Sequence, residues 1–325
     1  MSIKKRIVKF TVAVLGIALA ATALAQEPPA GKVIRIVTIN VPGGAADFAS
    51  RLVAERLQSR LNRTVIVENR PGAGGNLATQ YVMTQPPDGT TLLLTSNNHT
   101  LNSLIYTPRP YDAEADLTPV VFVAQGPSAI IVNDSNPAKN LSDLLAAAKA
   151  NPKGLSFGTG GVGNPNHIAA ELLKMEANLP LVHVPYKGSA PAVTDLLGGQ
   201  IDMVFTTLPS VLQHMKSGRL RALAVSGERR WAGTPEIPTI GEAGVAGYKY
   251  NVWLGIFTPK GTPPATAAWL HENIVAVIRS PDARERMAAQ GFEPGSQSMA
   301  QFAAFVRDDL ALARRIVRAS KLQAE

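Results

Sequence analysis

The 325-residue chain contains no cysteine. That excludes a disulfide framework, thiolate metal sites, a cysteine nucleophile and a lipid-modified N-terminal cysteine. Core packing alone must hold the fold, and the length is enough for about two domains. Aromatic residues make up only 6%, which disfavours a stacking platform for single-stranded nucleic acid. The five histidines (His99, His167, His183, His214, His271) are dispersed, with no His-Glu-x-x-His and no Gly-x-Ser-x-Gly motif. Long apolar runs are also missing, with one exception at the start. Lys4, Lys5, Arg6 and Lys9 precede TVAVLGIALAATALA, and Ala23-Leu24-Ala25 offers a small-x-small site. The run is too short and wrongly flanked for a membrane span of about 20 residues. Residues 1–25 therefore read as a signal peptide cleaved after Ala25, in preference to an uncleaved anchor. The mature chain is expected to begin at Gln26 and to be soluble. The formal charge is +8, and setting aside the four leader cations leaves +4. The remaining Lys and Arg are scattered among Asp and Glu, as at Glu228-Arg229-Arg230. Such a surface recruits small anions but leaves no nucleic-acid footprint.

What is present is an alternation. KVIRIVTINV, TVIVENR and TTLLLTS read as strands, the first two followed by a turn and an amphipathic helix. VVFVAQGPSAIIVN reads as an extended pair of strands. A second series then runs LSFGTG, a helix from about Asn166 to Ala177, LVHVPY, PAVTDLLGG, IDMVFTT, a helix to Lys216, and LRALAVSG. After a Pro/Gly-rich stretch comes NVWLGIFTPKGTP, and three helical segments close the chain. Repeated strand–turn–helix order predicts an α/β fold with mostly parallel sheets flanked by helices. Two series with a late return segment predict two lobes joined by crossing strands near Val120–Ile131 and Leu223–Ile256. The expected boundaries are 26–125 with 250–325 for the first lobe and 126–249 for the second.

Three turns share one grammar: Pro42-Gly43-Gly44, Pro71-Gly72-Ala73-Gly74-Gly75, and Gly158 to Asn164, each ahead of a helix. Each presents backbone N–H groups and the positive end of a helix dipole, while glycine admits a ligand close to the backbone. Each taken alone is equally a tight turn with no ligand. None carries the Lys-Ser/Thr pair of a phosphate-binding Walker loop, and Leu77 stands where a dinucleotide fingerprint needs its third glycine. The set suits a carboxylate. Other residues keep two readings. Asp47 is a helix-start acid or a ligand contact. His167 and Glu171, four apart, are ordinary helix neighbours or a metal pair. Tyr186-Lys187-Gly188-Ser189 presents a cation or only a turn, and Arg70 an ion pair or an anion contact. Tyr248, Tyr250 and Trp253 read as inter-lobe packing.

In this order, VENRPGAGGN, PDGTTLLL, LVHVPYKGSAPAVTDLLGGQIDMVF, LRALAVSG and IPTIGEAG resemble the Bug family of periplasmic tricarboxylate-binding receptors, from about Val33 to the C-terminal helices. The resemblance implies a two-lobed type II periplasmic-binding-protein fold that closes on an organic acid like a Venus flytrap. It implies no catalysis and no cofactor. The implied partners are the membrane permease subunits of a tripartite tricarboxylate transporter, with the receptor a periplasmic monomer. A sensory module that presents its closed form to a membrane sensor kinase is the alternative. The implied ligand positions are Asn40, Val41, Gly43, Gly44, Ala45 and Asp47 in the first loop and Thr159, Gly163, Asn164 and His167 in the second. Gly75, the Ser96-Asn97-Asn98 segment and Thr206-Thr207 join them along the cleft. Family members often carry Phe-Pro-Pro-Gly-Gly where this chain has Asn40-Val41-Pro42-Gly43-Gly44, and an Asp where Thr206 follows Phe205. Losing that carboxylate removes a partner for a ligand ammonium group, so the expected ligand is not an amino acid but a dicarboxylate or an aromatic acid.

Overall fold

Ile34–Thr38, IRIVT, is almost wholly buried, and Thr91–Ser96, TLLLTS, is buried at every residue. Strands covered on both faces read as near-continuous apolar runs, the signature of a parallel sheet between helices. The computed structural model describes residues 26–323; the leader and its expected cleavage site lie outside the described residues.

The first half runs β1 (Ile34–Thr38), α1 (Ala45–Leu61), β2 (Val65–Asn69), α2 (Asn76–Met83), β3 (Thr91–Ser96) and α3 (Asn98–Ile105). β4 (Leu117–Asn133) then leads through α4 (Leu141–Ala150), β5 (Leu155–Thr159), α5 (Pro165–Ala177), β6 (Leu181–Pro185), α6 (Ser189–Leu197), β7 (Met203–Thr207), α7 (Leu212–Lys216) and β8 (Leu220–Val225). β9 (Asn251–Pro259), α8 (Pro264–Ile278), α9 (Pro281–Ala289), β10 (Glu293–Pro294) and α10 (Met299–Ser320) complete it. The order β2-β1-β3-β9-β4 holds the first three strands parallel, with β9 antiparallel to β3 and to β4. The order β6-β5-β7-β4-β8 repeats the plan: three parallel strands, then antiparallel β4 and β8. The fold is thus α/β and two-lobed, with mixed sheets in which the parallel strands supply one edge of each lobe.

The segment expected as two strands is one. β4 pairs β9 as far as Pro127 and β7 from Ser128 onward, so a single strand passes from one sheet to the other. At that passage a Cβ on Gly126 would sit 2.1 Å from the Gly291 carbonyl oxygen, so only glycine fits there. One core gathers residues of β1–β3, β9 and α8 around Trp253, Phe257 and Phe302. A second gathers β5, α5, β7 and β8 around Phe157 and Phe205, with Tyr248 and Tyr250 within it. α10 puts Phe302 and Val306 into the first core and Ile316 into the second. Ser298 and Gln301 form a reciprocal cap at its start.

Candidate binding cleft

Parallel strands bring their C-terminal ends to one edge, so the loops after β1, β2 and β3 lie together, as do those after β5, β6 and β7. Between the two edges lies a cavity of about 370 Å³. Its first wall is Gly74, Asn98, Asn102, Ile105 and Tyr106; its second is Gly161–Gly163 and Pro185–Lys187. Gly74, Asn98, Gly161–Gly163 and Pro185–Lys187 stand at or just before the first residues of α2, α3, α5 and α6, while Asn102, Ile105 and Tyr106 lie along α3 and just past its end. Four helix N-termini therefore flank one cavity, each contributing partial positive charge, while the Asn98, Gly161 and Gly163 N–H groups donate to Ser96, Thr159 and His167. Such an arrangement holds an anion.

The first glycine loop is braced by a carboxylate. Asp47, 3% exposed, accepts from the Gly43 N–H at 2.9 Å, from Asn69 Nδ2 at 2.8 Å and from Arg51 Nε at 3.0 Å. Burial opposes the Asp47 charge, but Arg51, Gly43 and Asn69 outweigh it and hold the carboxyl below its ordinary range. Asn40 completes the brace, its Oδ1 accepting from the Ala46 N–H and its carbonyl from Asn69. The helix-start reading of Asp47 describes these contacts: its oxygens are occupied by the loop and by Arg51.

The second loop is braced by imidazoles. His167 Nδ1 accepts from the Gly163 N–H at 3.1 Å, and its Nε2 faces Glu171 Oε1 at 3.6 Å. Both ring nitrogens therefore have protein partners. His183 stacks on His167 with ring centroids 3.8 Å apart and meets Thr159 Oγ1 at 2.7 Å. Burial, reinforced by His167, lowers the His183 pKa to about 4, so the ring is neutral at pH 7. Thr159 Oγ1 also bonds the Gly161 carbonyl, and the Asn164 side chain caps α5 through the Asn166 N–H.

Of the positions expected at the ligand, Asn98 and Gly163 border the cavity and Gly75 follows its neighbour Gly74. Asn40, Gly43, Gly44, Ala45 and Asp47 form the braced first loop, where Val41 is 59% exposed. Thr159, Asn164 and His167 stand behind Gly161–Gly163. Ser96 Oγ donates to Asn98 Oδ1, and Asn98 Nδ2 donates to the Gly74 carbonyl, so Ser96 reaches the wall through Asn98. Asn97 bonds the crossing strand β9, accepting from the Trp253 N–H at 2.9 Å and donating to the Asn251 carbonyl at 3.1 Å. Thr206 pairs with Ser210. Asn102 and Tyr106 were not anticipated as wall residues. Tyr186 and Lys187 had a sequence signal in the YKGS turn, and Asn98 in the Ser96–Asn98 segment. Arg70 lies elsewhere, bonded to Glu68 and stacked 3.5 Å over the Tyr81 ring. Tyr248 donates to the Ala169 carbonyl, which ties the stretch after β8 to α5.

The sequence matches the tripartite tricarboxylate transporter family receptor model over residues 49–322. It is 34% identical to the protein BugT of Bordetella pertussis over 312 residues, 94% of this chain and 96% of that one. Among solved structures it is similar to a periplasmic transporter, at 32% identity and a TM-score of 0.78, covering 90% of this chain and 99% of the other. It is also similar to an R. palustris protein solved with adipate, at 30% identity and a TM-score of 0.79, with the same coverage.

Proposed function

Because this chain belongs to the tripartite tricarboxylate transporter receptor family, we propose that it is a periplasmic solute receptor that captures a small organic carboxylate and hands it to the membrane subunits of such a transporter. One observation carries the reading: four helix N-termini, two from each lobe, flank a single cavity. The adipate in a structural relative of 30% identity supports a carboxylate as the ligand. The first loop (Asn40 to Asp47) and the second (Thr159 to His167) present backbone N–H groups, with Gly75, Ser96, Asn97 and Thr206 along the same edges. The receptor performs no chemistry of its own, acts as a monomer and reaches the periplasm by its leader.

The lobes are taken as 26–125 with 250–325 and 126–249. Contacts made by both lobes at once exist only when the cleft is shut, so ligand shifts the population towards the closed form. β4 and α10 carry the motion, since each runs from one core to the other. The test is a thermal-shift screen of residues 26–325 against mono-, di- and tricarboxylates, aromatic acids and acidic amino acids. A ligand at 100 times its Kd stabilises the native state by about 2.7 kcal/mol. The expected result is a shift confined to one acid class, with compaction in small-angle scattering. Ligand-free protein that responds to no acid would remove the proposal.

A further inference from the structure

We infer that the cavity between α10 and the crossing segment Gly247–Asn251 is a second binding site, separate from the cleft, for an organic ammonium ion. It encloses about 510 Å³ and shares no wall residue with the cleft, and its size is within the range of small-ligand sites. Both lobes build it: Phe305 packs on the first core, while Leu172 and Tyr248 pack in the second. Four acids line it against two bases, in a chain that is otherwise net basic. Both bases are spent: Lys249 pairs with Glu228 at 2.8 Å and Arg315 with Glu176 at 3.0 Å. Asp308 and Asp309 make no ion pair within 4.0 Å among the described residues. Asp308 is exposed and shares the field of Lys249. Asp309 is the charge that no cation of the protein answers.

Asp309 stands midway along α10, with Thr100 Oγ1 donating to it and Trp253 beside it. Neutral donors do not replace a cation. Burial still raises the Asp309 pKa to about 6, as it does for a carboxylate held in low dielectric without a counter-charge. Tyr250 lies within the field of Asp309 and lines the same cavity. It is 6% exposed, yet its hydroxyl makes no hydrogen bond among the described residues. Gln297 Oε1, on the same cavity, is buried without a donor. A carboxylate and two unengaged oxygens call for N–H donors, and a charged donor bonds them most strongly. Among the described residues no group of three or more His, Asp or Glu is placed to hold a metal ion. The remaining wall is carbon, from Leu172, Phe305 and Leu312. An alkylammonium matches both parts, with three N–H donors for the oxygens and a chain for the apolar wall. The Phe305 ring adds a face for the cation.

The experiment is calorimetric titration of the mature protein with butylamine, 1,4-diaminobutane and the uncharged 1-butanol, at about pH 8, where Asp309 is ionised and the amines are protonated. At least one amine is expected to bind at a single site, with 1-butanol tenfold weaker or more. Asp309→Asn, which keeps the side-chain shape, should weaken the amine at least tenfold. Tyr250→Phe and Gln297→Leu should each weaken it a few-fold, and Asp308→Asn less than twofold. Thermal melts establish that each variant is folded; should Asp309→Asn not fold, Tyr250→Phe and Gln297→Leu carry the reading. Wild-type protein that binds neither amine overturns the site, as do variants of all three wall residues that bind as wild type does. Equal losses in Asp308→Asn and Asp309→Asn overturn it too, since a diffuse negative surface would then be at work. Calcium chloride that displaces the amine at equal concentration would make this a metal site and overturn the ammonium assignment. None of these results bears on acid capture in the cleft.

Discussion

The two glycine loops do the same job with different chemistry. Each turn is held rigid by a buried acceptor behind it, which takes the Gly43 N–H in one lobe and the Gly163 N–H in the other. The first lobe uses Asp47, an ionised carboxylate paired with Arg51; the second uses His167, stacked on the neutral ring of His183. A charge in a buried site must bring its own cation and donors, and Asp47 has Arg51, Asn69 and Gly43. The imidazole brace instead presents one ring nitrogen as the acceptor and rests on a stacked neighbour. The choice sets what each loop tolerates: loss of a partner in the first, acid in the second.

Removing the first acceptor should therefore be the larger injury. Asp47→Ala leaves the Gly43 N–H and one of the two Asn69 Nδ2 hydrogens without an acceptor, and Arg51 without its ion pair, and should cost about 3 kcal/mol. Chemical denaturation measures it, and acid affinity should fall with it. A loss below about 1 kcal/mol would mean that Asn40 alone braces the loop, and the contrast between the lobes would collapse.

A smaller effect comes from the paired asparagines that key each lobe to a crossing strand. Asn97 ties the end of β3 to β9 through the Trp253 N–H, and Asn166 ties the first turn of α5 to β4 through the Ser128 hydroxyl at 2.6 Å. Asn97→Ala orphans a backbone donor in the centre of a sheet and should cost about 2 kcal/mol. Asn166→Ala orphans only a hydroxyl and should cost about 1 kcal/mol. Urea unfolding of the two variants side by side sharpens or erases the difference. Equal losses would make the keys equivalent.

Acid should then single out the second loop. His183 has a folded pKa of about 4 because burial and His167 disfavour its charged form, against about 6.5 in the unfolded chain. The unfolded state binds the extra proton between those values, so stability is full above pH 6.5 and falls as pH drops towards 4. One such group gives a slope of at most about 1.4 kcal/mol per pH unit. His99, buried and bonded to the Ala113 carbonyl, is also lowered to about 4 by burial and adds a like slope from the first lobe. His183→Phe keeps the stack on Phe157 and should flatten part of the curve between about pH 4 and 6.5; His99→Phe should flatten another part. A curve unchanged by His183→Phe would show that the ring already protonates in place. The Asp47 side should be silent here, because its lowered pKa puts its loss at the acid end, below the ordinary carboxylate range.

How much of this was legible follows from the same physics. β1, β3 and β7 announce themselves because burial on both faces demands near-continuous apolar runs. The glycine turns announce themselves because helices must follow the strands. α3 does not. Its sequence, NHTLNSLI, carries Asn, His, Thr and Ser, which favour caps and turns over helix interiors. It is helical because tertiary partners satisfy those side chains: His99 with Ala113, Thr100 with the Asn97 carbonyl, Asn102 with Gly74 and Asn76. Leu101 and Ile105 bury into the second core. The element that propensity hides is the one that supplies Asn98 and Asn102, and leads into Tyr106, on the cleft wall. Likewise the acceptors behind the loops were visible as residues, but whether they face ligand or loop depends on rotamers that no spacing encodes.

The smallest expected effect tests how far the second loop's support extends. Glu171, 3% exposed, receives His167 Nε2, the Ser320 hydroxyl at the end of α10, and Lys174 at 3.7 Å. Burial opposes its charge, yet His167, Ser320 and Lys174 together lower its pKa. Its contribution to stability is therefore present above the unfolded value of about 4.3 and is lost as pH falls through the lower folded value. Ser320→Ala removes one donor while leaving two, and should cost about 1 kcal/mol at pH 7. Because the bond recognises the ionised carboxylate, the gap between variant and wild type should narrow as Glu171 takes up its proton at the acid end. Urea denaturation at pH 7 and near pH 3.5 checks it. A gap of the same size at both would mean that the brace of the second loop ends at His167. A narrowing gap would mean that it runs through Glu171 to the helix bridging both cores, a connection for which Asp47, neutralised locally by Arg51, has no counterpart.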